Sequence, residues 1–316
     1  MDTAEPLITE WAPTSFNDLE TGIWCGQQRL ADSALFSMSA LAELIAKHPR
    51  DAMHIHTMFG DSTAPEYLDI EAGDLASDDI LEAINKGRIW LSLVNLQEYH
   101  PDVNQLLEQT YAELGARCQG FKPSRLIANL LISSPSTEVF YHADAYSGML
   151  WQLHGQKRVY VYPPWDDNFL SPASRELCLA GQLMDDLFLP EFDQAAEVFD
   201  LKPGQFLSWP QTTPHRVVNQ QGLNISFATE HDTAIAARRR TTAAANWWFR
   251  QNLGLNSHNV SYATADSVST NLKRYLFLGL RTAAKIVGRR LTLPADEPVT
   301  ATLRLDPNDP RGLSEL

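Results

Sequence analysis

The first 120 residues carry two kinds of hydrophobic pattern. Apolar residues recur every three to four positions over 37–47, 74–85 and 101–118, which predicts three helices. The last of these begins at a proline followed by an aspartate, a common helix start. Short apolar runs at 53–59 and 88–94 lie between the helices and predict strands. This part of the chain is therefore predicted to be mixed α/β.

From residue 122 the pattern changes to short β-rich runs separated by turns rich in proline, glycine and asparagine. These predicted strands lie at 125–133, 157–162, 205–209, 215–219 and 223–229. Many short strands in one block favour a sandwich or a barrel. A polar, acidic insertion without strong periodicity occupies 165–200. After residue 232 the pattern becomes helical again, most clearly over 271–291.

Three sections follow from this pattern. We predict an N-terminal α/β section at 1–121, a β-rich core at 122–231 that contains the acidic insertion, and a helical C-terminal section at 232–316. No glycine- and serine-rich or proline-rich linker separates the first two sections, so we treat them as one structural unit.

Composition narrows the class of protein. The chain has 316 residues, of which 44% are hydrophobic, and its eight Trp and 13 Phe are too many for a disordered chain. A formal charge of −14 argues against a protein whose whole surface wraps nucleic acid. The three cysteines lie far apart without a CxxC pair, which indicates reduced thiols. The sequence shows neither a secretory signal nor about 18 consecutive apolar residues, so a cytoplasmic protein is expected.

The segment with the clearest chemistry contains His142 and Asp144. Two residues apart on a strand, their side chains point to the same face. An imidazole and a carboxylate side by side form half of a two-histidine, one-carboxylate iron(II) site, which leaves positions open for substrate and dioxygen. His215, at the start of a distant predicted strand, can supply the second histidine. A His-x-Asp triplet alone is often coincidental, so this assignment depends on a further element.

That element is Lys157, fifteen residues after His142, within a longer pattern. The matching residues are His142, Asp144, Gln152, Gly155, Lys157, Arg158, Pro163 and Pro164, followed by the segments 203–210, His215 and 222–226. This pattern resembles the JmjC and cupin-like Fe(II)/2-oxoglutarate oxygenases, closest to the group of the hypoxia-inducible-factor asparaginyl hydroxylase. The resemblance covers about residues 122–231.

The resemblance implies a mainly β fold with flanking helices around a double-stranded β-helix (jelly-roll, cupin) core. It also implies that Fe(II), 2-oxoglutarate and dioxygen serve to hydroxylate a C–H bond of a peptide side chain or a small metabolite. His142, Asp144 and His215 would be the metal ligands and catalytic residues. Lys157 would bind the distal carboxylate of 2-oxoglutarate, since an ammonium group is a suitable point charge for it.

Two positions depart from the hydroxylase pattern. Gly148 stands where the hydroxylase has an asparagine, and Val139 stands where it has a threonine. Other polar groups would then have to contact the cosubstrate, and the candidates are Asn129, Thr137, Tyr141, Asn219 and Tyr146. The alternative function is a non-catalytic, metal-binding cupin that acts as a ligand-sensing or regulatory module.

The remaining histidines compete for the metal. His54 and His56 lie on one face of a predicted strand, but they lack a nearby third ligand, so a structural pair is favoured. His154 occupies a variable position within the motif. His231 follows the last core strand and is predicted to be a cap or a surface residue.

The C-terminal section is strongly basic. Residues 236–292 contain ten basic residues and one acidic residue, so this segment is +9 and the rest of the chain is −23. Its helix could lie on an anionic membrane, or 238–240 could contact nucleic acid. The favoured interpretation is packing on the acidic remainder of the chain or on a second subunit. The resemblance also implies a homodimer formed through C-terminal helices.

Overall fold

A computed structural model describes residues 5–135, 137–182, 187–255, 267–286, 288 and 302–315. Within these ranges the helices are α1 (Phe16–Thr21), α2 (Met38–Lys47), α3 (Ser77–Lys86), α4 (Leu96–Tyr99), α5 (Pro101–Arg117), α6 (Pro172–Leu179), α7 (Ala234–Leu253) and α8 (Val268–Ile286). The strands are β1 (Ile8–Glu10), β2 (Trp24–Gln28), β3 (Met53–Phe59), β4 (Glu66–Glu71), β5 (Ile89–Leu93), β6 (Arg125–Ser133), β7 (Glu138–His142), β8 (Ser147–Val161), β9 (Glu197–Leu201), β10 (Gln205–Trp209), β11 (His215–Asp232), β12 (Leu303–Leu305) and β13 (Leu313–Glu315).

The strands form one connected sheet in the order β1-β2-β10-β8-β11-β6-β5-β3-β4-β12-β13, with β7 paired to β11 and β9 paired to β8. The long strands β8 and β11 hold it together. Their 147–154 and 225–231 portions pair with each other, and so do their 156–161 and 215–221 portions. The register shifts between these portions, where Gly155 and Gly222 have positive φ angles of 72° and 70°. The fold is therefore mainly β with flanking helices, as predicted.

Most predicted elements are present. The strand at 53–59 is β3, and the three N-terminal helices are α2, α3 and α5. The separate strands predicted at 215–219 and 223–229 are a single strand, β11, because the intervening residues only shift its register. The 165–200 insertion contains α6, a short 3-10 helix (Pro190–Gln194) and most of β9. The helix predicted at 271–291 is α8, and the part of that prediction at 289–291 lies outside the described residues.

The core joins the N-terminal section to the β-rich section. Strand β5 pairs with β6, so the two sections share one sheet. Buried side chains from both of them pack in a single cluster that includes Leu41, Ile84, Leu107, Leu130 and Trp151. Burial of such large side chains on both sides of the junction is the main source of stability. This packing holds the strands that carry the candidate site.

The two C-terminal helices differ in how they meet the rest of the chain. Three arginines of α7 form ion pairs with distant acids: Arg239 with Glu20, Arg240 with Asp232, and Arg250 with Glu176. Helix α8 packs on α7 through the buried Phe277 and exposes the apolar side chains of Leu272, Tyr275, Leu276 and Leu280. Across the described ranges, no helix is both long and apolar enough to span a membrane.

Candidate metal site and cavity

Three potential metal ligands converge where β7 ends and β11 begins. His215 is the register partner of His142, and Asp144 follows two residues after His142. The Asp144 carboxylate lies 3.9 Å from Nε2 of His142 and 3.5 Å from Nε2 of His215. One ligand atom from each residue lies within 4.8 Å of the others, and no other such group is found among the described residues. The structure thus brings together the three residues singled out in the sequence.

Backbone carbonyls fix the orientation of both imidazoles. Nδ1 of His142 lies 2.7 Å from the carbonyl oxygen of Phe140, and Nδ1 of His215 lies 3.0 Å from that of Thr213. Since a carbonyl only accepts, each Nδ1 carries the proton and each Nε2 presents its lone pair to the site. Hydrogen bonds of this kind orient metal-ligating histidines. The two rings are therefore set to bind a metal through Nε2.

The three ligands differ in burial. The His215 side chain is 4% exposed, and this burial, with nearby His142 as a second cause, lowers its pKa to about 4. His215 is consequently neutral at physiological pH, as a metal ligand must be. His142 and Asp144 are each about one-third exposed, so one side of the site is open. Two imidazoles and one carboxylate suit Fe(II) with open coordination positions.

The ligands open onto a cavity of about 250 Å³, which is lined by residues of β5, β6, β7, β8, β10 and β11. Its wall is mostly apolar, and the Trp209 ring centroid lies 4.4 Å from that of His215. The residues that line the cavity are Trp90, Ser92, Asn129, Leu131, Ser133, Val139, His142, Asp144, Gly148, Met149, Leu150, Lys157, Trp209, His215, Val217, Ala228, Thr229 and Glu230.

Lys157 is the cation of this cavity. The residue is only 4% exposed, and burial lowers its pKa to about 7. Within the part of the chain that the structure describes, its ammonium group forms neither a hydrogen bond nor an ion pair. A buried ammonium without a counter-charge is unfavourable. An anion bound in the cavity would offset that cost.

The other predicted cosubstrate contacts are divided between the cavity and its surroundings. Asn129 lines the cavity, and its Oδ1 accepts a hydrogen bond from the Asn95 backbone N–H at 3.0 Å. Thr137 donates instead to the Ile89 carbonyl at 3.3 Å, and Tyr141 donates to the Phe169 carbonyl. Asn219 lies outside the wall and donates to Ser133 Oγ at 2.8 Å. Tyr141 lies on the opposite face of β7 from His142 because adjacent strand residues alternate.

Two residues of the wall were missed in the sequence. Trp209 and Glu230 both line the cavity, and each lies opposite Gly148 in the register of β8, Trp209 on β10 and Glu230 on β11. The last core strand is predicted to end at residue 229, three residues before the end of β11. Alternation from Ala228 along a longer strand would have placed Glu230 on the inner face.

Three of the other histidines discussed in the sequence analysis, His56, His154 and His231, have partners within the described residues. The prediction that His231 is a cap or surface residue is wrong, because it is buried and its Nδ1 lies 3.2 Å from the Tyr111 hydroxyl. His56 pairs with Asp69 at 2.8 Å, while His54 is exposed. Nε2 of His154 lies 2.8 Å from the Phe36 carbonyl oxygen.

Comparison with known proteins defines the class. Residues 78–254, more than half of the chain, match the model of the cupin-like domain family, and the chain belongs to this family. No curated protein matches it.

Among solved structures, the chain is similar to the Escherichia coli ribosomal oxygenase YcfD. One structure of that protein has 13% identity and a TM-score of 0.47, and the match covers 86% of this chain and 67% of that one. A second E. coli YcfD structure has 15% identity and a TM-score of 0.47, covering 92% and 77%. The DMSP lyase DddQ from Ruegeria pomeroyi has 10% identity and a TM-score of 0.23, covering 34% and 39%. The closer relation to the asparaginyl hydroxylase group stays a prediction.

Proposed function

We propose that this protein is an Fe(II)- and 2-oxoglutarate-dependent dioxygenase that hydroxylates a C–H bond of a peptide side chain or a small metabolite. One observation carries the proposal: a facial histidine–carboxylate triad and a buried lysine without a protein counter-charge face the same cavity. When bound, iron and 2-oxoglutarate supply the oxidative chemistry with dioxygen. The residues of the chain bind and orient the metal and the cosubstrate, and they exclude water from the cavity.

Each residue near the triad has a defined role in this proposal. His142 and His215 bind the metal through Nε2, held by the Phe140 and Thr213 carbonyls, and Asp144 provides the third ligand. The open side of the triad leaves room for two further partners of the metal. The apolar wall keeps water away, which strengthens electrostatic interactions within the cavity.

Lys157 would donate to the distal carboxylate of 2-oxoglutarate, and Asn129 is the second cosubstrate contact that we retain. Asn219 is better assigned to positioning Ser133, to which it donates a hydrogen bond. We assign no cosubstrate contact to Thr137 or Tyr141, because their hydroxyls donate to backbone carbonyls elsewhere.

Trp209 supports cosubstrate binding despite the departures at Gly148 and Val139. Its indole N–H is buried and has no hydrogen-bond partner among the described residues. A Cβ built on Gly148 would lie 3.6 Å from this nitrogen, so the glycine leaves the space beside it open. The indole N–H can therefore donate where the related pattern has an asparagine.

The second candidate function is a non-catalytic, metal-binding cupin that senses a ligand. The observation that favours it is the apolar character of Gly148 and Val139, two positions of the cavity wall. Under this alternative the triad binds metal, and the sensed ligand is an anion that binds to Lys157 and is not turned over.

Succinate formation from 2-oxoglutarate, with iron(II) and ascorbate, tests the proposal. We expect iron-dependent turnover in the wild type and background levels in His142→Ala, because the variant lacks one ligand. The matched control is His54→Ala, which changes an exposed histidine outside the site and should retain turnover. Absence of iron-dependent succinate in the wild type with every candidate substrate would favour the sensing module.

We also propose a homodimer formed through α8. The support is the exposed apolar surface of this helix, with Tyr275 64% and Leu276 52% exposed. Large exposed apolar patches commonly mark interfaces. Light scattering should report a dimer in the wild type and a monomer in Leu276→Asp, and a wild-type monomer would contradict this proposal.

A further inference from the structure

Glu230 is a carboxylate of the cavity wall that the proposed chemistry does not use. It lies on β11 in one register row with Gly148 on β8 and Trp209 on β10, so all three face the cavity. Two residues further along β11, Asp232 pairs in register with Arg125. Throughout the described ranges, the Glu230 carboxylate accepts no hydrogen bond and forms no ion pair.

The charges around Glu230 do not neutralise it. Burial, with the nearby Asp144 carboxylate as a second cause, raises the pKa of Glu230 to about 7, although Arg125 and Arg240 act in the opposite direction. Arg240 is already bound to Asp232, with contacts of 2.5 and 2.8 Å. Arg125 donates to the Tyr146 hydroxyl at 3.2 Å. Arg240 thus has its counter-charge in Asp232, whereas Arg125 is exposed to solvent with a neutral hydroxyl as its partner, and neither arginine forms an ion pair with Glu230.

The charges of the loaded cavity leave Glu230 uncompensated. A metal dication offsets Asp144 and the chelating carboxylate of 2-oxoglutarate. Lys157 offsets the distal carboxylate of the same molecule. Among the residues that line the cavity, the remaining charged group is Glu230, and an unpaired charge in a largely apolar site is unfavourable.

We propose that Glu230 binds a cationic group of the substrate, an ammonium or a guanidinium, and so selects the substrate class. The inference rests on the proposed function and deepens it. The partner chemistry follows from the missing counter-charge, and a guanidinium can bind a carboxylate through two hydrogen bonds.

The cavity wall beside Glu230 suits the hydrocarbon stem of such a group. Leu150 and Ala228, which are register partners two positions from Glu230, line the cavity together with Trp209. Lysine and arginine side chains commonly lay their methylene stems on apolar surface while the charged end finds a polar partner. A long aliphatic chain with a terminal cation therefore matches both the wall and the carboxylate.

Matched ligands separate charge from shape. N-acetyl-arginine amide and N-acetyl-citrulline amide have the same length, but only the first is charged. N-acetyl-lysine amide, with a free side-chain amine, and N-acetyl-norleucine amide form a second pair. Binding is measured by calorimetry to protein loaded with Mn(II) and 2-oxoglutarate without oxygen, so that no turnover occurs.

We expect the wild type to bind at least one cationic ligand about tenfold more tightly than its neutral partner, and Glu230→Gln to lose this preference. The control is Glu197→Gln, which changes an exposed carboxylate on β9 and should keep it. Equal affinity for charged and neutral ligands in the wild type, or a preference that survives in Glu230→Gln, would overturn the inference.

A titration with 2-oxoglutarate keeps this inference distinct from the proposed function. If 2-oxoglutarate binds to the wild type and Glu230→Gln while neither prefers a cation, the inference alone fails. If 2-oxoglutarate does not bind to the wild type, both fail.

Agmatine and a tripeptide with a central arginine then identify the source of the cation. Tighter binding of the tripeptide indicates a protein substrate, and tighter binding of agmatine indicates a small amine. Either result supports the inference.

Discussion

Lys157 and Arg239 are both buried cations, but their surroundings differ. Arg239, on α7, is fully buried; it donates to Glu20 at 2.6 Å and to Gln211 at 3.4 Å, and its guanidinium lies 4.4 Å from the Trp165 ring. Lys157, in the barrel cavity, is almost as buried, yet its ammonium group forms no ion pair with any residue that the structure describes. The first cation has its counter-charge within the fold, and the second leaves that place to a ligand.

This difference teaches how a buried charge indicates function. A buried cation with a permanent partner contributes to one well-defined fold, and removing that partner is strongly unfavourable. A buried cation without a partner lowers the stability of the unliganded protein, which globular proteins tolerate where a ligand restores the balance. The comparison therefore separates a structural ion pair from a proposed binding site within one chain.

The largest expected effect is on the structural pair. Glu20→Gln should lower the free energy of unfolding by about 3–5 kcal/mol, because it leaves Arg239 buried and uncompensated. Glu43→Gln is the matched control, since it removes an exposed partner of Lys47 and should cost about 0.5 kcal/mol or less. Urea denaturation measures both. A loss in Glu20→Gln no larger than that of the control would show that Arg239 does not depend on this pair.

The next effect concerns the unpaired cation. Lys157→Met should reduce 2-oxoglutarate affinity about 100-fold, or roughly 3 kcal/mol, because it removes the proposed charge partner. The unliganded variant should be at least as stable as the wild type, since a buried unpaired charge is lost. Calorimetric titration of the Mn(II)-loaded protein measures the affinity, and Lys202→Met, on an exposed loop, is the control. Unchanged affinity in Lys157→Met would remove the cosubstrate assignment.

A smaller effect is expected in the pH dependence of stability. The pKa of Lys157 is lowered from 10.5 to about 7 by burial, so between these values the unfolded chain binds a proton that the folded chain does not. The stability of the unliganded protein should therefore rise with pH over this interval, by up to about 1.4 kcal/mol per pH unit from this group. Comparing wild type with Lys157→Met isolates the contribution. Parallel pH profiles of the two proteins would contradict a lowered pKa.

The smallest effect is expected for an exposed cation. Arg281, on the solvent side of α8, is neither buried nor ion-paired among the described residues. Arg281→Gln should change the free energy of unfolding by about 0.5 kcal/mol or less. Thermal denaturation at low and high salt provides the measurement. A loss of stability as large as that in Glu20→Gln would mean that burial does not explain the different contributions of Arg239 and Arg281.

The candidate metal site could be predicted only in part from local information, which covers His142 and Asp144, whereas His215 is assigned through the longer resemblance. The spacing of His142 and Asp144 on a strand places both side chains on one face, and His215 begins a recognisable strand. The periodicity also predicted α2, α3, α5 and β3. The secondary cosubstrate contacts were harder to predict, because the side on which Thr137, Tyr141 and Asn219 lie depends on strand register and on neighbouring strands.

The sequence by itself determined the class of the fold, most of its elements and the residue types of the candidate metal site. Only the tertiary structure decided which charged residues have partners. Arg239 and Glu20 are 219 positions apart in the chain. The physical reason is that the energy of a charge depends on its burial and on its distance in space to other charges, and neither follows from position along the chain.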